Sequence, residues 1–197
     1  MTSAPIVGLI GKKRSGKDTF AAGLIDVHGF TRVAFADPVR QAALDLDPYV
    51  GRPALPGHLA PQKDVRLSEV IETIGWEKAK DFVPEVRRIL ENFGTNSIRK
   101  LDPDFWVRMA VEKIQATPGP VAVTDVRFPN EADKIRELGG YVVRIVRPGF
   151  ESAPGAHICE TALDGYEADV TFLNDSTVEA LQDQAHGFGD ALIRYSR

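Results

Sequence analysis

Gly11-Lys12-Lys13-Arg14-Ser15-Gly16-Lys17-Asp18-Thr19 is the stretch that decides the fold. It follows the apolar run Ile6-Val7-Gly8-Leu9-Ile10 and precedes Phe20-Ala21-Ala22-Gly23-Leu24-Ile25, which reads as the start of a helix. A short buried strand, a glycine-bounded loop and a helix make the setting that a phosphate-binding loop requires. Gly11 and Gly16 let the backbone turn tightly and approach phosphate oxygens with no Cβ in the way. Successive N–H groups then converge on the anion, and the helix N-terminus adds its partial positive charge. Lys17 supplies a mobile cation for the terminal phosphates. Gly-x4-Gly-Lys fits the Walker A pattern, but the next position, usually a Ser or Thr whose hydroxyl ligates magnesium, is Asp18, with Thr19 one place later.

The bulk of the chain suits that opening. Its 197 residues fit one domain with an embedded lid or subdomain. A hydrophobic fraction of 43% is enough for a sizeable core without staples. The net charge of −4 argues against a broad footprint for a nucleic-acid polymer, while local basic clusters suit small anionic ligands. A single cysteine, Cys159, excludes an internal disulfide framework and a multi-cysteine metal site. Met1-Thr2-Ser3-Ala4-Pro5 lacks a basic region followed by a long apolar stretch, and no apolar segment reaches membrane-spanning length, so a soluble, cytoplasmic protein is expected.

Along the chain, strands are expected at about 5–10, 30–35, 121–124, 141–146 and 170–173. The helix after the loop runs to about Val27 and ends at His28-Gly29. Asp37 is placed to cap the next helix, with Pro38 in its first position. Residues 48–64 carry Pro48, Pro53, Pro56 and Pro61 and read as a loop. Ser68 to about Gly94 is helical in pattern, interrupted near Gly75 and Pro84, and another helix starts at Asp102-Pro103. A helix from Pro129 to Leu138 closes on Gly139-Gly140. Ser176 with Glu179 three residues later forms a capping box for the last helix. Strands alternating with helices imply a mostly parallel sheet of about five strands with helices on both faces, an α/β three-layer sandwich. Ligands bind at the carboxyl ends of such strands, here the phosphate loop, Asp37, Asp125 and the segment after Val146.

Asp125-Val126-Arg127-Phe128-Pro129-Asn130-Glu131 comes straight after a strand. Asp125 there can hold magnesium beside a phosphate loop, or cap the following helix or pair with Arg127. Arginines recur at the strand ends: Arg14, Arg40, Arg99, Arg127, Arg144 and Arg147. Arg contacts phosphate bidentately and stays charged, and clamping developing charge is most of the work in phosphoryl transfer. Arg147 stands at the mouth of a Pro/Gly-rich segment, whereas strand alternation sets Arg144 on the opposite face from Ile145. Residues 148–168 read as a lid that excludes water, and its His157 and Glu160 are too few for a metal site. Phe105 and Trp106 either stack on a base or, at helical spacing, belong to a core.

Together these motifs resemble the bacteriophage-type deoxynucleoside monophosphate kinases, within the P-loop nucleoside-monophosphate-kinase-like group. The resemblance is carried by the Gly11–Thr19 loop, Phe35-Ala36-Asp37-Pro38, Gly94-Thr95 through Arg99 to Asp104-Phe105-Trp106-Val107, Thr124–Ala132, Arg144–Pro148 and Asn174-Asp175. It runs from about residue 6 to 182 and is weak over 48–92. The Asp after the Walker lysine looks like the form this family uses, whereas Cys159 replaces the Ser of the family's His-x-Ser-Glu. The resemblance implies a P-loop NTPase fold as a single domain over 1–197, with a helical acceptor-binding region at about 38–116 and the lid at about 148–168. It implies transfer of the ATP γ-phosphoryl group to a deoxynucleoside 5′-monophosphate, with Mg²⁺. Gly11, Arg14, Ser15, Gly16, Lys17, Asp18, Thr19, Asn174 and Asp175 would bind ATP. Asp18 and Asp125, assisted by Thr19, would organise the metal. Asp37, Arg40, Arg99, Trp106 and Arg127 would bind the acceptor. Lys17, Asp125, Arg127 and Arg147 would act in catalysis. The protein would work in the cytoplasm (the host's, if phage-encoded), on a small molecule and without a membrane, and a homodimer stays open. Two rivals stand beside this reading: another small-molecule P-loop kinase of the dephospho-CoA or phosphomevalonate type, and a non-catalytic ATP-binding module.

Overall fold

Five short strands order the molecule. The computed structural model describes residues 4–59, 62–150 and 157–195. Among these, Ile6–Ile10 (β1), Thr31–Val33 (β2), Val121–Val123 (β3), Tyr141–Val146 (β4) and Val170–Leu173 (β5) form one sheet in the order β2-β3-β1-β4-β5. Every pairing is parallel, with Val7 opposite Ala122 and Tyr141 and Val143 opposite Val170. All strands therefore end at one edge, as expected of alternating strands and helices.

Side chains alternate across the sheet and so build two covered faces. Val7 and Leu9 of β1 and Val143 and Ile145 of β4 join a core with Phe20 and Leu24 of Lys17–His28 (α1) and Leu181, Ala185 and Leu192 of Val178–Tyr195 (α7). On the other face Ile135 of Pro129–Glu137 (α6) lies against Gly8. Phe20 and Leu24 have no exposed surface. Each such side chain stabilises the fold by roughly 1.5–3 kcal/mol relative to exposure. The three layers expected from the sequence are thus present.

The chain divides into two compact units, residues 1–35 with 109–197, and 36–108. The second has its own core of Ala43, Val50, Leu67, Val70, Ala79, Val83 and Val86. Its elements are Ala36–Leu46 (α2), Leu67–Phe82 (α3), Pro84–Leu90 (α4) and a π-helix over Glu91–Arg99; Phe105–Ala116 (α5) runs across the division. Residues 48–64 are loop where described, apart from an antiparallel bridge between Tyr49 and Arg66; Pro61 lies outside the described residues.

Several local expectations are corrected. The second strand spans 31–33 instead of 30–35, and the third ends at Val123, one residue short. The helix expected to begin at Pro38 begins at Ala36, so Asp37 lies in its first turn and is not its cap. The helical stretch from Ser68 is broken where foreseen, at Gly75, whose φ of 73° leaves the helical region, and at Pro84. It does not stop at Gly94 but passes through it in π-register. The last helix is capped by Thr177, whose Oγ1 accepts from the Ala180 N–H at 3.2 Å, and not by Ser176. A cap acts on the N–H two or three residues on, and the helix starts at Val178.

Candidate functional site

At the carboxyl end of β1 the backbone turns through conformations that only some residues tolerate. Gly11 has φ 141° and Gly16 φ 105°. A Cβ on Gly11 would lie 2.4 Å from the Ile145 carbonyl oxygen, and one on Gly16 would lie 2.5 Å from Asn174 Nδ2. Both positions therefore require glycine, for steric reasons as well as conformational ones. Arg14 between them also has positive φ, 64°. Ser15 is buried, and its Oγ makes no hydrogen bond among the described residues.

Lys17 folds back over the loop. Its Nζ donates to the carbonyls of Gly11 and Lys12, each at 2.8 Å. Burial, aided by repulsion from the nearby Arg127, pushes this ammonium down to about 8, against the opposing pull of Asp18, Asp125 and Glu160. The phosphate loop, both candidate metal-binding carboxylates and one candidate catalytic arginine thus share one electrostatic neighbourhood.

Asp125 follows β3, and its Oδ1 accepts the Phe35 N–H at 2.7 Å. Its carboxylate thereby ties the exit of β2 to the exit of β3. Arg127 is exposed as a whole residue, yet its guanidinium lies among protein groups: Nη1 donates to Cys159 Sγ at 3.5 Å. Burial opposes its charge, but Cys159, Asp125 and Glu131 outweigh burial and raise its pKa. Glu131 had no site role in the sequence reading. It is 2% exposed, and its Oε2 accepts the N–H groups of Arg127 and Phe128 at 2.7 and 3.1 Å. The signal was available: Pro129 at the first helical position with Glu131 two residues on is a helix-start pattern, in which the acid reaches back to free N–H groups.

The two remaining strand-end arginines separate. Arg147 lines the cleft beside the phosphate loop, with its guanidinium 4.4 Å from the centre of the Phe150 ring. Arg144 instead donates to the carbonyls of Leu163 and Tyr166 at 2.9 and 2.6 Å, so it is a structural tie. Of the expected lid, residues 151–156 lie outside the described residues; 158–160 form a short 3₁₀ turn. His157 sits at the start of that turn, its Nδ1 3.1 Å from Cys159 Sγ and 3.4 Å from the Cys159 N–H. Among the described residues no group of three or more His, Cys, Asp or Glu gathers as a metal site.

A cleft of about 330 Å³ opens at this edge. Arg14 through Thr19 and Arg147 form its charged end, and Asn174, Ser176, Val178 and Leu181 line the rest. Asn174 is fastened to the loop by Nδ2 donating to the Ser15 carbonyl at 2.8 Å. Val178 and Leu181 were not foreseen as site residues. At helical spacing they read as ordinary core, and only their position just past Asn174 distinguishes them. The exposed Asp175 is adjacent to the lining without forming part of it.

Of the residues expected on the acceptor side, all but Arg127 lie in the 36–108 unit. Arg40 Nη2 donates to Glu77 Oε1 at 3.0 Å, and its guanidinium stands 5.7 Å from the centre of the Trp76 ring. Lys80 shares that carboxylate at 2.7 Å. Side-chain bonds from Lys80 and Arg40 hold Glu77 below the usual carboxylate range, although burial alone would raise it. Asp37 and Arg99 are half-buried, in the first turn of α2 and the last turn of the π-helix. Trp106 is 4% exposed, donates from Nε1 to the Gly94 carbonyl at 2.9 Å, and packs edge-on against Phe93 and Phe105. Its surroundings are those of a packing residue.

A family model described as deoxynucleotide monophosphate kinase matches residues 61–185. A mimivirus protein (Acanthamoeba polyphaga mimivirus), provisionally named a deoxynucleotide monophosphate kinase, is 32% identical over 189 residues, covering 91% of this chain and 93% of its own. The deoxynucleotide monophosphate kinase of Enterobacteria phage T4 is 32% identical over 101 residues, or 49% of this chain and 42% of that protein. Among solved structures, a dephospho-CoA kinase from Campylobacter jejuni aligns over all of both chains at 17% identity with a TM-score of 0.46.

Proposed function

The chain belongs to the deoxynucleotide monophosphate kinase family, and from that premise we propose that it transfers the γ-phosphoryl group of ATP to a deoxynucleoside 5′-monophosphate, yielding a diphosphate and ADP. Membership makes it a nucleotide-using phosphotransferase acting on a small molecule. The observation that best supports the donor half is the cleft in which a glycine-turned loop, Lys17, Arg147 and Asn174 meet.

In this reading the loop amides and Lys17 hold the β- and γ-phosphates, with Gly11, Arg14, Ser15, Gly16 and Thr19 shaping the cradle. Lys17 leaves the carbonyls of Gly11 and Lys12 to do so. Asn174 and Asp175 face the adenine end. Arg127, Arg99 and Arg40 hold the acceptor phosphate, assisted by Asp37, and Arg40 exchanges Glu77 for it. Trp106 supports that side by packing. An oxygen of the acceptor phosphate attacks the γ-phosphorus as the bond to the ADP bridging oxygen breaks. That oxygen is already ionised at neutral pH, since the second phosphate pKa is about 6, so no general base is required. Arg147 and Arg127 neutralise the charge that spreads over the transferring group, and catalysis is positioning plus electrostatics.

Asp18 and Asp125 offer hard carboxylate oxygens, the donor type that Mg²⁺ takes alongside substrate phosphates and water. Both act on the charge of Lys17, so they share the phosphate neighbourhood and fit the ion. When bound, Mg²⁺ supplies charge neutralisation across the transferring phosphates. No helix among the described residues is long and apolar enough to cross a membrane. We place the reaction in the cytoplasm, with no polymeric nucleic acid as partner, in keeping with the net charge of −4.

Incubation with Mg-ATP and each of the four common dNMPs, AMP and dephospho-CoA tests the reading, with Lys17→Ala as control. Formation of dNDP by the intact protein alone is the expected result. Phosphorylation of dephospho-CoA instead would move the chain to another acceptor class. ATP binding with no acceptor phosphorylated would overturn the reaction.

A further inference from the structure

The phosphate loop carries four cations, Lys12, Lys13, Arg14 and Lys17, and the side chain of Lys12 has a different destination from that of Lys17. Lys12 Nζ donates to the Glu160 carbonyl at 3.2 Å and to the Asp164 carboxylate. Its own carbonyl is held by Lys17 at 2.8 Å. Lys12 thus stands between the loop and residues 157–166. An ammonium has three donors, and these bonds commit two of them away from the cleft.

That segment is a strap fixed at further points. Arg144 holds the Leu163 and Tyr166 carbonyls. Arg127 reaches Cys159 Sγ, and Cys159 is fastened to His157 Nδ1 through both its thiol and its N–H. Cys159 and Glu160 are adjacent, so the bond from Lys12 and the bond from Arg127 meet the strap one residue apart. A displacement at Glu160 is passed to Cys159 by the rigid peptide between them.

We propose that Lys12 is a positioning residue: its ammonium ties the phosphate loop to the 157–166 strap through Asp164 and Glu160, and the strap thereby seats Arg127 for phosphoryl transfer. Lys12 acts through the strap and not on phosphate. An exposed ion pair of this kind adds little to folding stability, so its loss appears in rate and local accessibility and not in the melting temperature.

The inference rests on the proposed reaction for its rate readout, and a second readout is independent of it. Lys12→Met, Asp164→Asn and the double variant form a cycle. In the kinase assay each single variant is expected to lower kcat about three- to tenfold, with KM for ATP unchanged, and the double variant to be no worse than either single. Cys159 is the only cysteine, so its reaction with an aromatic disulfide, which forms a mixed disulfide and releases a coloured thiolate, reports the strap directly. Both single variants should speed that reaction by a similar factor, and the double by no more. A raised KM for ATP in Lys12→Met with Asp164→Asn unaffected would make Lys12 a phosphate ligand and sink the proposal, as would thiol rates unchanged in all three variants. Loosened thiol reactivity in a protein that phosphorylates no dNMP would uphold the tether while overturning the reaction.

Discussion

Lys17 carries a charge that its own site disfavours, and that conflict sets a pH dependence. Unfolded, a lysine keeps its proton to about pH 10.4. Folded and empty, Lys17 keeps it to about 8, because burial penalises the ammonium and Arg127 repels it. Between those values the unfolded chain binds more protons, so the Lys17 contribution to stability rises with pH across that window; below about 8 it is a constant penalty. Phosphates reverse the balance, since an opposite charge favours the ammonium. ATP binding above about pH 8 should therefore take up a proton, and affinity should fall as pH rises through 8, by up to about tenfold per unit well above it. Calorimetry near pH 8.5 in two buffers of different ionisation enthalpy is expected to show uptake approaching one proton, absent in Lys17→Met. Equal heats in both buffers would mean that Lys17 does not meet the phosphates. The sequence made Lys17 legible as a phosphate ligand, because the two glycines and the flanking strand and helix are short-range features. Its resting contacts with the Gly11 and Lys12 carbonyls were not legible, since they depend on how the closed loop turns.

At the scale of the element, the π-helix over 91–99 is the feature that sequence periodicity cannot reveal. Nine residues are barely two turns, and the apolar spacing of Leu90, Phe93 and Ile98 suits more than one helical pitch. Gly94 is where the register has its consequence. The residue is buried, a Cβ there would stand 3.0 Å from Val39 Cγ1, and its carbonyl receives the Trp106 indole N–H. This junction joins α2, which carries Asp37 and Arg40, to the π-helix, which carries Arg99. Trp106→Phe keeps most of the ring volume and deletes the donor. It should cost about 0.5–1.5 kcal/mol of stability by deleting a buried hydrogen bond. It should also raise KM for every dNMP by a similar factor while KM for ATP stays fixed, because the acceptor-side residues shift together. A KM change confined to one base, with unfolding in urea unaltered, would show instead that the indole stacks on substrate. Caps were similarly elusive: Ser176 and Thr177 both suit the role, and only the helix start at Val178 selects Thr177.

Over the whole molecule, the parallel sheet was readable because β1, β3, β4 and β5 are short, mostly apolar runs that give way to a turn or to polar residues, and alternation with helices leaves few topologies. The division of the chain was less readable, since a core such as that of Val70, Val83 and Val86 reads locally like any amphipathic helix pair. Two cores imply that ligand protection can be local. A ligand at about 100 times its dissociation constant adds about 2.7 kcal/mol to the opening of whatever unit it binds, or about a hundredfold in amide exchange. ATP alone should then slow exchange at Phe20, Leu24 and Ile145, which are fully or almost fully buried in the sheet core, and leave Val70 and Val86 near their unliganded rates. A dNMP alone should slow Val70, Val86 and the amides around Arg40 and Arg99, if those side chains hold its phosphate. Hydrogen exchange read by mass spectrometry, with each ligand alone and then both, separates the cases. Equal protection of both cores by ATP alone would mean that the two units open as one. Absence of any dNMP protection over 36–108 would remove Asp37, Arg40 and Arg99 from the acceptor site and leave Arg127 as the remaining arginine assigned to acceptor binding.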